Sequence, residues 1–305
     1  MNQGPMRSTL AAALLVLVAL PAGAAPKKGP PPPPAAAPAA GSASGTLVQP
    51  TVVLVPTKTA TACGTKLLPL VVGNSWTYGQ VAAPLPAPDA IARIAPAEPK
   101  TIVVTVKTVD AKKGGDTTVT LEEKTTVDLS KDPKKPQLDE RVVTSTIVCG
   151  ATRFDISPES VFFAAEPGGI IGMTIDKVER KGTDWKLAAG ALGDAEWRED
   201  VSAMWKRPST TGSEAPAASG KLELERVFTP GQGDLVITKA GSFKTERLFL
   251  KTTGRVTLDG APADLKPMEL PDNWVNTIWF ADGIGAVQLL NSYAHMYQLV
   301  DAKLN

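Results

Sequence analysis

"KTIVVTVKTVDAKKGGDTTVTLEEKTTVDL", residues 100–129, decides the fold. Two runs dense in Val, Ile and Thr flank a Gly-Gly turn. β-Branched side chains favour the pleated backbone, and glycine supplies the positive φ of a tight hairpin turn. The stretch therefore predicts a β-hairpin. The pattern continues outward from it. "ERVVTSTIVCGATRFDI", residues 140–156, is a third run of the same kind. "KLELERVF", residues 221–228, alternates: Leu222, Leu224 and Phe228 share one face, with Arg226 among them. Lys221, Glu223 and Glu225 face the other way, which predicts a half-buried strand. Residues 234–260 add at least three short strands punctuated by glycine.

Helical signals are few. "SPES", residues 157–160, resembles an N-cap with proline at the first helical position. It predicts a short helix through Phe162 and Phe163 that ends before Pro167. "GDAEWREDVSAMWKRP", residues 193–208, fits two periods. Trp197, Val201, Met204 and Trp205 make a helical stripe. Trp197, Val201, Ala203 and Trp205 make a strand face in which only Glu199 is out of place. Neighbouring strands favour the strand. "PSTTGSEAPAASG", residues 208–220, is a flexible insertion and predicts a long hairpin loop.

"IWFADGIGAVQLL", residues 278–290, poses the main functional question. Its Gly-x-Gly, Gly283 and Gly285, follows an apolar run. A dinucleotide fingerprint needs a third glycine opening a helix, and Gln288 stands there instead. Asp282 beside glycine is turn chemistry. Asp282, Gly283 and Gly285 are therefore assigned to a structural turn. Beyond it, Tyr293, His295, Tyr297 and Leu299 alternate like a strand. Val287, Leu290, Ala294 and Tyr297 would equally suit a helix, so residues 286–300 are a hairpin or a helix.

The 305-residue chain opens with Arg7, the apolar run "LAAALLVLVAL" and the small residues Ala22 and Ala24. This is the pattern of a cleaved secretory signal, residues 1–24, and the run is short of the roughly 20 residues that span a bilayer. Residues 25–50 follow as a Pro/Ala-rich linker expected to be disordered. Residues 51–305 are expected to form a single β-rich domain, exported to the periplasm or beyond, with no transmembrane segment in the mature chain. Removing the signal takes one basic residue from 32 and none of the 31 acids, so the net charge is near zero. That balance points away from nucleic acid. Two cysteines in an exported chain, Cys63 and Cys149, predict a disulfide.

Candidate chemistry is sparse. His295 is the single histidine, which limits nucleophilic triads and metal sites. No catalytic residue, metal ligand or cofactor is nominated. Glu122, Glu123, Glu196 and Glu199 are expected on solvated strand faces. The tryptophans are Trp76, Trp185, Trp197, Trp205, Trp274 and Trp279. Large aromatics fill cores and line apolar pockets. Trp279 and Phe280 are adjacent, so in a strand they point to opposite faces. Only one can face the main core, and the other needs a cover: a helix, a partner or a ligand. Trp279, Phe280, Trp76 and Phe249 form the candidate apolar ligand face.

Three motifs in order, "PLVVGNSWTY" (69–78), "ITKAGSFKTERLFLKTTGRV" (237–256) and "WFADGIGAVQLL" (279–290), resemble a pattern in exported bacterial proteins, the DUF3108-like and TapB-like proteins. Those are related in shape to the LolA/LppX-type half-open β-barrel of periplasmic lipoprotein and lipid carriers. Asp282 stands where the pattern usually has proline, and Thr245 where it has alanine. The resemblance implies a mainly β fold: an antiparallel, strongly curved sheet or half-open β-barrel with one or two short helices. It implies an apolar ligand or lipoprotein segment as partner. The expected function is a non-enzymatic exported binding protein. The alternative is a cell-envelope interaction module with a filled core. A hydrolase built on paired acids is a third reading. Apolar residues on both faces of several strands would favour the first, and one apolar face per strand the second.

Overall fold

The computed structural model describes residues 54, 62–64, 67–83, 99–113, 115–130, 134–135, 137–150, 154–157, 160, 174–182, 192–207, 217–270 and 274–305. The leader, the Pro/Ala stretch and most of the segment predicted as a short helix after Ser157 lie outside them. A 3-10 turn, Ala62–Gly64, precedes the strands. β1 (Ser75–Val81), β2 (Pro99–Ala111), β3 (Thr117–Asp128), β4 (Leu138–Cys149) and β5 (Phe154–Ile156) come first. β6 (Thr174–Gly182), β7 (Trp197–Arg207), β8 (Ala218–Gly231), β9 (Leu235–Thr238) and β10 (Gly241–Lys244) follow. β11 (Glu246–Val256), β12 (Met268–Glu269), β13 (Val275–Ala281), β14 (Gly285–Leu290) and β15 (Met296–Lys303) complete the chain.

Thirteen of these strands form one antiparallel sheet, in the order β5-β4-β3-β2-β1-β15-β14-β13-β11-β8-β7-β6, with β12 beside β11. β9 and β10 make a separate hairpin. The predicted hairpin of residues 100–129 is β2–β3, with Ala111 opposite Thr117. Residues 197–207 are strand rather than helix, and residues 285–303 are the hairpin β14–β15. β7 and β8 pair across the insertion, with Arg207 opposite Ala218.

The sheet curves around one face. β2, β3 and β8 each bury alternate residues and leave the others in or near water. Ile102, Val104, Leu121, Ile147, Leu289, Ile278, Leu248 and Phe228 converge on that inner face. Curvature brings the end strands β5 and β6 together. No backbone ladder joins them among the described residues. Instead the Arg180 guanidinium on β6 donates to the Ile156 carbonyl on β5.

The turn at residues 282–284 is fixed from within. The Trp76 indole N–H donates to the Ile284 carbonyl at 2.6 Å, and the Tyr78 hydroxyl to the Ala286 carbonyl at 3.0 Å. Gly285 has φ +112°, and a Cβ there would lie 2.7 Å from Trp76 Nε1. Gly285→Ala is expected to destabilise the fold by about 2–4 kcal/mol, combining backbone strain with the clash. Trp76→Phe should cost about 1–3 kcal/mol by leaving a buried carbonyl unpaired. Urea unfolding measures both, and a loss below about 0.5 kcal/mol for Gly285→Ala would contradict the geometry.

Candidate functional site

The inner face carries a feature that an apolar core does not explain. On β7, Trp197, Glu199, Val201, Ala203 and Trp205 are all buried, with Glu199 4% exposed. On β8, Leu222, Leu224, Arg226 and Phe228 are buried, with Arg226 at 1%. Arg226 and Glu199 are directly opposed in the ladder, and Nη1 lies 3.6 Å from Oε2. The two residues out of place in the sequence pattern are therefore partners. Arg180 donates to the other carboxylate oxygen of Glu199 as well as to Ile156. Thr252, opposite Arg226 on β11, is buried at the other end of the row. The row separates two apolar clusters. On one side Trp197 stacks on Phe228, with ring centroids 5.2 Å apart, as part of the main core. On the other, Ile175, Val201, Ala203, Trp205, Leu222 and Leu224 pack together.

Such a row is costly. Removing two unlike charges from water costs several kcal/mol per ion, and their mutual attraction returns this only with good geometry. Its chemical capacity is to hold strands in register and to bridge the β5–β6 seam with a planar fork of donors.

A second buried carboxylate belongs to Glu123, fully enclosed on β3. The Ser145 hydroxyl donates to it at 2.5 Å. Burial, and then the nearby Glu123 charge, hold the Tyr78 phenol well above its ordinary range. Glu123 and Glu199 thus depart from the solvated position expected for them, whereas the Glu122 and Glu196 side chains are solvent-facing. Strand alternation is the reason: adjacent Glu122 and Glu123 cannot share a face. His295 is half-buried beside Tyr293, with ring centroids 6.0 Å apart. Desolvation lowers its imidazole pKa.

The candidate ligand-face residues divide between two faces. Trp76 and Phe280 are enclosed on the inner face. Trp279 and Phe249 project from the opposite one. Trp279 is still only 8% exposed. Its indole N–H donates to Asp234 Oδ2 at 3.3 Å, and Arg247 bonds the same carboxylate oxygen at 3.1 Å. Asp234 leads into β9, which lies beside β14 and β15. Arg247 also stacks over the Phe249 ring at 4.8 Å. The cover required by the adjacent Trp279 and Phe280 is therefore supplied, at least at Trp279, by the chain's own hairpin approach. Asp282, Gly283 and Gly285 lie in or next to the β13–β14 turn, closed by an Ile284 N–H to Ala281 carbonyl bond of 3.1 Å.

Cys63 and Cys149 are joined, with Cα atoms 5.6 Å apart, fastening the Ala62–Gly64 turn to the end of β4 beside β5. Among the described residues no helix is long and apolar enough to cross a membrane. No group of three His, Cys, Asp or Glu among them could hold a metal. Sequence reasoning did not find Arg180. Its strand, "TIDKVERKG", carries five charges in nine residues and resembles a solvated loop.

No protein-family model matches the chain, and no curated protein matches it. Among solved structures, it is similar to a candidate exported protein with a YmcC-like fold from Bacteroides fragilis. The identity is 14% over 77% of this chain and 98% of that one, with a TM-score of 0.41. It is also similar to a candidate lipoprotein from Parabacteroides distasonis, 11% identical over 78% of this chain and 99% of that one, with a TM-score of 0.39. Neither bears the DUF3108-like, TapB-like or LolA-type name that the motifs suggested.

Proposed function

We propose that the chain is an exported, non-enzymatic module of the cell envelope. Its core is filled by its own side chains, and it acts through its outer surface. One observation carries this reading: the long strands β2, β3 and β8 bury one face each and turn mostly charged or hydroxylated residues outward, with Val103 and Val227 among them. Where β13 and β14 bury both faces, Trp279 is held by Asp234 of the same chain. The secretory pattern of residues 1–24 supports export.

A second reading is favoured by a specific feature. The row of Glu199, Arg226 and Arg180 divides the inner face, and the seam beside it has no ladder among the described residues. A half-open carrier of the LolA/LppX kind, holding an acyl chain or a lipoprotein segment against the smaller cluster, would use that division. Native mass spectrometry of the mature protein, exported and purified without detergent, separates the two. Self-filling predicts the bare polypeptide mass and no uptake of a fluorescent fatty acid. A stoichiometric apolar adduct recovered by solvent extraction would overturn it in favour of the carrier.

A further inference from the structure

We propose that the outer face of the β9–β10 hairpin docks on an anionic lipid surface. This names a partner for the outer-surface reading above and rests on it. β9 reads "LVIT", so alternation sends apolar side chains to both of its faces. Val236, Ala240 and Phe243 are buried in the main core cluster, with β14 and β15 beside β9. Leu235 and Ile237 take the other face, where they are 70% and 53% exposed. Leu235 is the most exposed large apolar side chain among the described residues. Trp279 meets the same parity problem and is held by Asp234, whereas Leu235 and Ile237 meet water. Lys244 stands opposite Leu235 in the ladder, Ser242 opposite Ile237, and Lys239 lies in the turn between the strands. All three are exposed, and neither lysine is in an ion pair. The acids of the hairpin lie at its base and are engaged: Asp234 by Arg247 and Trp279, and Glu246 by the Leu192 N–H. The outer face therefore offers two apolar side chains and two cations with no acid among them. The hairpin holds them ready. Its base is closed by Thr245, whose hydroxyl donates to the Asp234 carbonyl at 2.8 Å and whose N–H donates to the same oxygen at 3.1 Å. Its turn is fastened by the Ala240 N–H to the Thr238 hydroxyl at 3.1 Å. Little conformational freedom is lost on docking. Acyl carbons suit Leu235 and Ile237, and headgroup phosphates suit the lysines. A second copy fits less well, because a two-fold contact would set this lysine-bearing patch against itself. Attachment through so few groups is reversible, on the scale of a single acyl anchor.

Flotation of the mature, oxidised protein with vesicles of phosphatidylcholine and phosphatidylglycerol, against phosphatidylcholine alone, tests this. The wild type is expected to float with the anionic vesicles, and less so as salt rises. Leu235→Ser with Ile237→Ser should lower the partition constant about tenfold or more. Lys239→Gln with Lys244→Gln should lower it about tenfold on anionic vesicles and little on neutral ones. Met268→Ser, at an exposed apolar side chain on β12, should leave it unchanged. The urea midpoint establishes that each variant is folded, and the two hairpin variants decide independently of each other. Absence of wild-type flotation would overturn the proposal, as would flotation that both hairpin variants retain or an equal loss in Met268→Ser. A vesicle-free dimer that Leu235→Ser with Ile237→Ser abolishes would overturn it in favour of a second copy. The bare mass expected from native mass spectrometry reports on the filled core alone, so failure of the docking face and failure of the outer-surface reading are told apart.

Discussion

Glu199→Ala is expected to lower stability by about 3–5 kcal/mol, a large effect for one substitution in this chain. The loss comes less from the attraction removed than from what remains. Arg226 is 1% exposed and directly faces Glu199, so it would stay in the interior without that carboxylate. Arg180 would lose the anchor that aims it across the seam. The same principle predicts a recovery. Replacing the whole row together, with Glu199→Leu, Arg226→Met and Arg180→Met, should restore most of the loss, because matched apolar side chains carry no desolvation cost. Urea unfolding of the oxidised protein measures each variant. A single-site cost below about 1 kcal/mol would mean that the row is hydrated.

Removing the disulfide ranks beside it. Cys63 and Cys149 are 86 residues apart, and closing a loop of that length stabilises by about 4–5 kcal/mol in the chain-entropy model. Cys63→Ala with Cys149→Ala is expected to cost about 2–5 kcal/mol, seen as a lower urea midpoint. Cys63 also holds φ 62°, a conformation that glycine adopts freely. Cys63→Gly with Cys149→Ala should therefore be less damaging than the double alanine by about 1 kcal/mol. Thiol labelling of the wild type should find no reactive cysteine in denaturant alone and two after reduction. Two labelled thiols before reduction would exclude the bond.

Local pattern made much of this fold readable. Residues 100–129 carry a period of two and a turn that glycine permits, and they form β2–β3. In residues 197–207 two periods competed, and the strand prevailed because Glu199 finds its counterpart in Arg226 on the next strand. That counterpart is 27 positions away, so no local period displays it. β6 escaped notice for the opposite reason: an edge strand in water needs few apolar residues, and its charges resemble a loop. The adjacent Trp279 and Phe280 point to opposite faces, but nothing local says that Asp234, 45 positions earlier, rather than a helix, a partner or a ligand, lies against Trp279. Glu122 and Glu123 could have been assigned to opposite faces by the same parity. What stayed hidden in each case was a partner distant in sequence.

The pairing of β1 with β15 sets an order of events for the nascent chain. The Asn74 carboxamide oxygen accepts the Asn305 amide N–H, a contact that spans 231 residues. β1 also has Ile284 and Ala286 as the acceptors of its Trp76 and Tyr78 side chains, each 208 residues away. None of these contacts can form until almost the whole chain has been synthesised. Long-range closure of this kind is slow, because loop entropy is lost before any contact compensates for it. Placing β15 beside β1 defers completion of the sheet until both strands are available to pair.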